Sequence, residues 1–271
     1  MNTDHFSLNI NLHDYDVVII NTSAGKDSLV AIHQLSQLAK LQNYPKNKIH
    51  LSHQDLGRME WPGTRELAEL QAKHFGFEIH FSKRRTKDGV EETLLDYVLR
   101  RGKWPANKER YCTSDFKRGP GARVVTAITK DMQNSKVLHV FGFRKDESSA
   151  RKKKDVLKIN TKLTTQKRSV YDYLPVHDWT TQYVWQVIKE NALPYHFAYG
   201  LGMPRLSCPF CIFSPFEALV IAGYNNPELL DEYIAVQTTI GHLFRNKFSL
   251  QEVKDAIESG YKPKSISNWI M

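Results

Sequence analysis

Short apolar runs rich in β-branched residues alternate with longer amphipathic stretches along most of this chain. The first run, at 16–21, has the composition of a buried parallel strand. The stretch 27–41 follows it, and its apolar side chains recur at helical spacing: Leu29, Ile32, Leu35, Leu38 and Ala39. An alternation of this kind predicts the α/β class, with a parallel sheet covered by helices on both faces.

The same pattern predicts the remaining elements and the domain organisation. Further strands are predicted at 49–53, 77–81, 136–143 and 170–174, and further helices at 64–75, 91–101, 180–191, 227–242 and 250–258. The basic segment 144–168 interrupts the alternation and is predicted to be a mobile loop. We therefore expect an α/β domain at 1–195 and a smaller, mainly helical C-terminal extension at 196–271.

Net charge and hydropathy indicate which kinds of molecule this protein binds and where it is located. Lysine and arginine number 38 against 29 acidic residues, so the formal net charge is +9. A basic balance favours nucleotides or nucleic acid, although a merely solubilising surface is the alternative. No stretch approaches the roughly 20 apolar residues that cross a bilayer. Residues 1–5 lack the features of a signal peptide, so we expect a cytoplasmic protein without a membrane anchor.

A loop after the first predicted strand opens the first predicted helix and reads Ser23-Ala24-Gly25-Lys26-Asp27-Ser28. A helix N-terminus presents N–H groups and partial positive charge, which attract phosphate. Gly25 lets the backbone bend closely around a ligand, Lys26 adds a full charge, and Ser23 and Ser28 offer hydroxyl groups. Asp27 is suited to hold a magnesium ion or to cap the helix. The alternative is a plain strand–turn–helix with ordinary capping residues.

This loop resembles the Ser-Gly-Gly-x-Asp-Ser motif of PP-loop ATP pyrophosphatases, in particular their phosphoadenosine-phosphosulfate (PAPS) reductase branch. Other segments resemble that branch in the same order. Residues 53–57 and 60–64 match the region after its second strand, 111–120 match Cys-Thr-x-x-x-Lys-x-x-Pro, 142–151 match Gly-x-Arg-x-x-Glu-Ser-x-x-Arg, and 175–180 match Pro-x-x-Asp-Trp. Each motif alone is weak evidence for this family, but all of them in the same order along the chain are a specific resemblance.

The resemblance implies an adenine nucleotide alpha-hydrolase-like fold that binds ATP with Mg²⁺. It implies attack on the α-phosphate with pyrophosphate leaving, which activates an oxygen as an adenylate. The implied catalytic residues are Lys26, Asp27, Arg144 and Arg151. The implied nucleotide-binding residues are those of the loop, Ser23, Ala24, Gly25, Lys26, Asp27 and Ser28, together with Asp55 and Gly142. Lys117 and Arg118 would bind the acidic end of the substrate. Solvated surface charge is the alternative for the basic residues, and an ordinary loop cap for Asp55.

Ala24 departs from the family motif, which usually has glycine at this position. Alanine donates the same backbone N–H but does not easily adopt a positive φ. A loop that needs this conformation at position 24 would bind phosphate less well.

Three cysteines, Cys112, Cys208 and Cys211, form an odd set in a chain without an export signal, which argues against a disulfide framework. The Cys-x-x-Cys spacing suits a soft metal or an iron–sulfur cluster. In related sulfur-transfer PP-loop enzymes three cysteines hold a [4Fe–4S] cluster with an exposed iron, and the resemblance implies one here. Zinc with His196 as a further ligand, a redox Cys-x-x-Cys pair and plain buried cysteines are the alternatives.

No cysteine follows Cys211 in this sequence, which argues against the PAPS reductase activity itself. PAPS reductases use a cysteine in a C-terminal Glu-Cys-Gly motif, whereas residues 267–271 read Ser-Asn-Trp-Ile-Met. The chain is more similar to the ATP pyrophosphatases of DNA phosphorothioation, which implies DNA and a cysteine desulfurase sulfur donor as partners. Trp61 and Trp104 are expected to be exposed for stacking on nucleic acid, with burial in the core as the alternative. A sulfonucleotide reductase and a non-catalytic nucleotide- or nucleic-acid-binding module remain alternative functions.

Overall fold

The computed structural model describes residues 10–245 and 247–266, which form two compact units. The first unit comprises the chain up to Gln54, Gly63–Ser82 and Gly121–His196. The second comprises Asp55–Pro62, Lys83–Pro120 and the chain from Phe197 onward. Residues 1–5 and 267–271, used above to argue against a signal peptide and a reductase motif, lie outside the described ranges.

The first unit contains one sheet in the order β3-β2-β1-β4-β6-β5. The strands are β1 (Val17–Thr22), β2 (Ile49–Gln54), β3 (Glu78–Ser82), β4 (Ser135–Val140), β5 (Leu157–Ile159) and β6 (Arg168–Tyr173). β5 runs antiparallel to β6, and the other neighbours are parallel. This mainly parallel sheet confirms the α/β class.

The helices are α1 (Lys26–Leu41), α2 (Thr64–Phe75), α3 (Leu94–Arg101), α4 (Tyr111–Thr113), α5 (Gly119–Ile128), α6 (Ser149–Lys152), α7 (Thr181–Glu190), α8 (Phe216–Asn225), α9 (Pro227–Ile240) and α10 (Leu250–Glu258). A π-helical segment, Ser114–Arg118, joins α4 to α5, and short 3-10 turns occupy Leu12–Asp14, Lys46–Lys48, Gly57–Met59, Lys145–Glu147 and Phe197–Tyr199.

Alternate residues of β1 pack into two separate apolar clusters. Val18 and Ile20 belong to a cluster that includes side chains of α1, α2 and α7. Val17 and Ile19 pack with Val125 of α5. Because successive strand side chains point to opposite faces, helices cover both faces of the sheet, as the sequence predicts.

The second unit is mainly helical and has a core of its own, to which α3, α8, α9 and α10 contribute. The sequence predicts a single boundary near residue 195, whereas Asp55–Pro62 and Lys83–Pro120 group with the C-terminal residues. The reason is apolar packing, since Met59, Trp61 and Val98 are buried in this second core.

Both tryptophans proposed for stacking on nucleic acid are core residues. Trp61 and Trp104 are each only 2% exposed. The Trp104 ring stacks on Tyr233 at 5.3 Å between centroids, and its indole N–H donates to the His242 carbonyl oxygen at 3.0 Å. The prediction that they are exposed is therefore wrong.

Segment 144–168 is not an irregular loop throughout, because it contains α6 and β5. β5 pairs with β6 at the sheet edge, where Ile159 is exposed and gives the strand little apolar signal. The helix predicted at 91–101 begins only at Leu94, because Thr93 and Asp96 form a capping box there.

In the described part of the chain, no helix combines the length and apolar character needed to cross a membrane.

Candidate active site

The loop between β1 and α1 is shaped by two hydroxyl groups. The Ala24 N–H donates to Thr22 Oγ1 at 3.1 Å, and the Ser23 N–H donates to Ser28 Oγ at 3.3 Å. The Ser28 hydroxyl donates in turn to the Gly25 carbonyl oxygen at 2.9 Å. Gly25 is the N-cap of α1 and makes no side-chain capping bond, so Asp27 is not the cap that the sequence allows. The loop presents the positive end of α1 at the carboxyl end of β1.

Ala24 adopts the left-handed conformation, with a φ of 56°, and is completely buried. A non-glycine residue costs about 1–2 kcal/mol in this region, which glycine occupies freely. Two contacts hold the strained peptide, because its N–H donates to Thr22 and its carbonyl oxygen accepts from Gln71 Nε2 at 3.3 Å. The loop therefore does use the backbone conformation for which the family motif has glycine.

Ala24→Gly is expected to raise the free energy of unfolding by up to about 1 kcal/mol. The substitution removes the left-handed strain but adds the entropy of a glycine to the unfolded chain, about 0.5–1 kcal/mol. Denaturant unfolding followed by circular dichroism measures the change. Ala150→Gly, at an exposed helical position in α6, is the matched control and should lower stability. Equal losses in both variants would contradict strain at Ala24.

Lys26, Asp27 and Arg144 form a group of three charged side chains at the start of α1. Asp27 accepts from Lys26 Nζ at 3.1 Å and from Arg144 Nε at 2.6 Å. Lys26 and Arg144 are each 3% exposed. Burial alone would raise the pKa of Asp27, but the charges of Lys26 and Arg144 outweigh it, so that this pKa lies below its usual value. Asp27 is therefore an anion at neutral pH, and its role as a magnesium ligand stays a prediction.

Arg144 is held by protein groups on every side of its guanidinium. Besides Asp27, it donates to the Trp179 carbonyl oxygen and to Thr181 Oγ1, each at 3.1 Å. Its backbone N–H donates to Glu147 at 2.8 Å. These contacts make Arg144 a positioning residue for Asp27, and direct contact with phosphate stays a prediction.

Gly142 and Arg151 complete the candidate site in the first unit. A Cβ atom on Gly142 would lie 2.4 Å from the carbonyl oxygen of Asp27, so only glycine lets the exit of β4 approach the first turn of α1. Arg151 pairs with Glu147, and its guanidinium lies 4.4 Å from the centre of the Phe143 ring. Glu147 therefore contacts both Arg144 and Arg151, a role that the motif at 142–151 does not reveal by its sequence alone.

The other predicted residues lie in the second unit. Asp55 is 6% exposed and accepts from the Gly57 N–H at 2.7 Å, which is the geometry of a loop cap. Lys117 and Arg118 are exposed on the π-helical segment. Asp55, Lys117 and Arg118 therefore lie within one unit, and their contact with nucleotide or substrate stays a prediction.

The three cysteines lie in the second unit together with Lys117. All three are free and partly buried. A thiolate at Cys208 would be the largest influence that raises the pKa of Lys117, and thiolates at Cys211 and Cys112 would add to it. Burial raises the pKa of Cys208 to about 12 and that of Cys211 above its usual value. Without a bound metal these two sulfurs are protonated at neutral pH, and a metal would have to displace their protons.

Which metal group the three cysteines would hold stays a prediction, and their spacing bears on it only in part. Zinc–sulfur bonds of about 2.3 Å at tetrahedral angles place sulfur atoms about 3.8 Å apart. Across 10–245 and 247–266, the cysteine sulfurs do not form a set with all separations within 4.8 Å. A cluster whose thiolates bind different irons needs wider spacing. His196, the suggested fourth zinc ligand, is buried with its Nε2 atom 3.2 Å from Thr64 Oγ1.

Comparison with known proteins gives a family and a fold. An uncharacterized protein of Methanocaldococcus jannaschii is 28% identical over 194 residues, which are 72% of this chain and 36% of that protein. The PAPS reductase of Candida auris, solved as a phosphate complex, shares the fold with a TM-score of 0.51 and 20% identity, over 73% of this chain and 83% of that chain. The U34-tRNA thiolase NcsA of Methanococcus maripaludis, solved with its [4Fe-4S] cluster, has a TM-score of 0.48 and 16% identity, over 90% and 73% of the two chains.

The chain therefore spans about a third of the length of the curated relative that it matches. The family model of the phosphoadenosine phosphosulfate reductase domain matches residues 17–213, from the first residue of β1 to two residues beyond Cys211. That range contains the loop 23–28, Arg144, Arg151 and all three cysteines. The chain belongs to the phosphoadenosine phosphosulfate reductase domain family.

Proposed function

We propose that this chain is an ATP pyrophosphatase that hydrolyses ATP to AMP and pyrophosphate. The reaction would activate a phosphate or carbonyl oxygen for sulfur transfer, in DNA phosphorothioation. The observation that carries the proposal is the loop at the end of β1, where buried Lys26 and the N-terminus of α1 stand together. Both supply positive charge where a pyrophosphate leaving group gains negative charge.

The chain's own residues would work mainly by positioning and charge. Lys26 and the loop N–H groups would hold the leaving pyrophosphate, and Arg144 would keep Asp27 oriented through its 2.6 Å bond. Asp27, held ionised, is suited to bind the Mg²⁺ that accompanies ATP. Arg151 would add positive charge beside the phosphates. Nucleotidyl transfer depends chiefly on such positioning and charge neutralisation.

The cysteine cluster supports sulfur chemistry as the purpose of the activation. Cys112, Cys208 and Cys211 would bind a [4Fe–4S] cluster, which supplies an iron position without a protein ligand where sulfur can be handled. Lys117 places a cation beside these thiols, and with Arg118 it would bind the acidic end of a substrate. A cysteine desulfurase is the kind of partner that would deliver the sulfur.

Nucleic acid is the favoured acceptor because the chain carries a net charge of +9. Residues Lys152, Lys153 and Lys154 are exposed immediately after Arg151. This exposed basic run would attract a phosphate backbone. The alternative is a sulfonucleotide reductase, for which the family itself is the argument.

The test is to measure AMP and pyrophosphate release from Mg-ATP by the full chain, with and without duplex DNA. The proposal predicts stoichiometric AMP and pyrophosphate, stimulated by DNA. Sulfite formed from PAPS and a thiol reductant, without AMP release from ATP, would support the reductase instead. Nucleotide binding without formation of AMP, pyrophosphate or sulfite under any of these conditions would contradict both and favour a non-catalytic binding module.

A further inference from the structure

Two histidines and a glutamate meet on adjacent strands at the edge of the sheet. His50 is on β2, and Glu78 and His80 are on β3, the edge strand. The register places Glu78 directly beside His50. His80 lies two residues further along β3, so that it shares a face of the sheet with Glu78. All three side chains therefore project from the same side of two rigid, hydrogen-bonded strands.

Their polar atoms stand at metal-ligand spacing. His50 Nδ1 lies 3.1 Å from His80 Nε2 and 3.4 Å from Glu78 Oε2, and His80 Nε2 lies 3.6 Å from Glu78 Oε1. Zinc bonds of about 2.0–2.2 Å at tetrahedral angles place ligand atoms about 3.3–3.6 Å apart. The two contacts to Glu78 involve different carboxylate oxygens, and each separation is close to that between two ligand atoms of one zinc ion. Within the ranges that the structure describes, this is the one set of three such ligand atoms that all lie within 4.8 Å.

The site is open to solvent on one side. Side-chain exposure is 15% for His50, 29% for His80 and 66% for Glu78, so an ion can enter from solvent and keep a water ligand. A neutral imidazole is the form that binds metal.

We propose that His50, Glu78 and His80 bind one divalent transition-metal ion of the zinc class, separate from the proposed nucleotide site. His50 and Glu78 lie at the amino-terminal ends of β2 and β3 and His80 lies in the middle of β3, whereas the loop 23–28 follows the carboxyl end of β1. Imidazole ligands favour zinc, nickel and copper over magnesium. The bound ion joins the edge strand β3 to β2 and stabilises the edge of the sheet.

Zinc binding to untagged full-length protein, measured by equilibrium dialysis and metal analysis, tests the proposal. The double variant His50→Gln/His80→Gln should bind one equivalent fewer than the wild type. Zinc held by the cysteines is present in both proteins and cancels in this difference. The matched control His33→Gln/His74→Gln, which changes two other histidines of the first unit, should bind as the wild type does.

Glu78→Gln is a milder variant, because this side chain is mostly exposed and its loss leaves the fold intact. It should weaken zinc binding at this site by about tenfold or more, since a neutral amide replaces the carboxylate ligand. Zinc should also raise the thermal midpoint of the wild type by more than that of the His50→Gln/His80→Gln variant. Equal zinc stoichiometry in the wild type and this double variant would overturn the proposal, whatever the outcome of the ATP experiment.

Discussion

Lys26→Ala is expected to lower the rate of pyrophosphate release from ATP by about 10²–10³-fold. Removing one preorganised charge or donor that meets the developing negative charge of a reaction commonly has an effect of this size. Lys26 is 3% exposed, so little water screens its charge at the loop. Single-turnover measurement of AMP and pyrophosphate, at saturating Mg-ATP, separates this loss from weaker nucleotide binding.

The fold should survive this change because Asp27 keeps its 2.6 Å contact with Arg144. The matched control is Lys40→Ala, which removes an exposed lysine from the last turn of the same helix and should leave the rate unchanged. If Lys26→Ala releases pyrophosphate as fast as Lys40→Ala, the loop does not hold the leaving group. That result would contradict the proposed ATP pyrophosphatase activity at this loop.

The elements that surround the loop were predictable because their signals are local. α2 occupies Thr64–Phe75 as the apolar spacing predicts, and Gly76 ends it with a positive φ of 70°. β1 and α1 each lie within one residue of their predicted bounds. A strand composition, a glycine C-cap and an amphipathic face are all properties of neighbouring residues, so the sequence alone contains them.

The partners of the site residues were not predictable in the same way. Asp27 and Arg144 are 117 positions apart, and nothing in either segment alone indicates their ion pair. The motif placed Arg144 among the catalytic residues but gave no indication of the three protein acceptors that packing supplies. Trp104 shows the same limit, because its stacking on Tyr233 depends on a helix far along the chain. Tertiary contacts of this kind follow from topology rather than from local pattern.

Arg144→Ala is expected to lower the free energy of unfolding by about 3–5 kcal/mol, the usual effect of removing one partner from a buried ion pair. The substitution leaves Asp27 with Lys26 as its remaining described cation contact at 3.1 Å. It also leaves the Trp179 carbonyl oxygen and the Thr181 hydroxyl without the guanidinium donor. Denaturant unfolding at neutral pH, monitored by tryptophan fluorescence, measures the loss.

The adjacent residue provides the matched control for this prediction. Lys145 pairs with Asp178 at 2.8 Å, but both side chains are exposed, so Lys145→Ala should change stability little.

The dependence of stability on acidic pH is a second measurement, because a purely steric defect would not change with pH. The pKa of Asp27 is lowered from 3.8 in the folded chain, so its ion pair stabilises the protein above that pH and is lost as the carboxylate is protonated. The stability difference between wild type and Arg144→Ala should therefore narrow as the pH falls below 3.8. A difference that stays constant through this range would show that Arg144 acts through packing rather than through its charge.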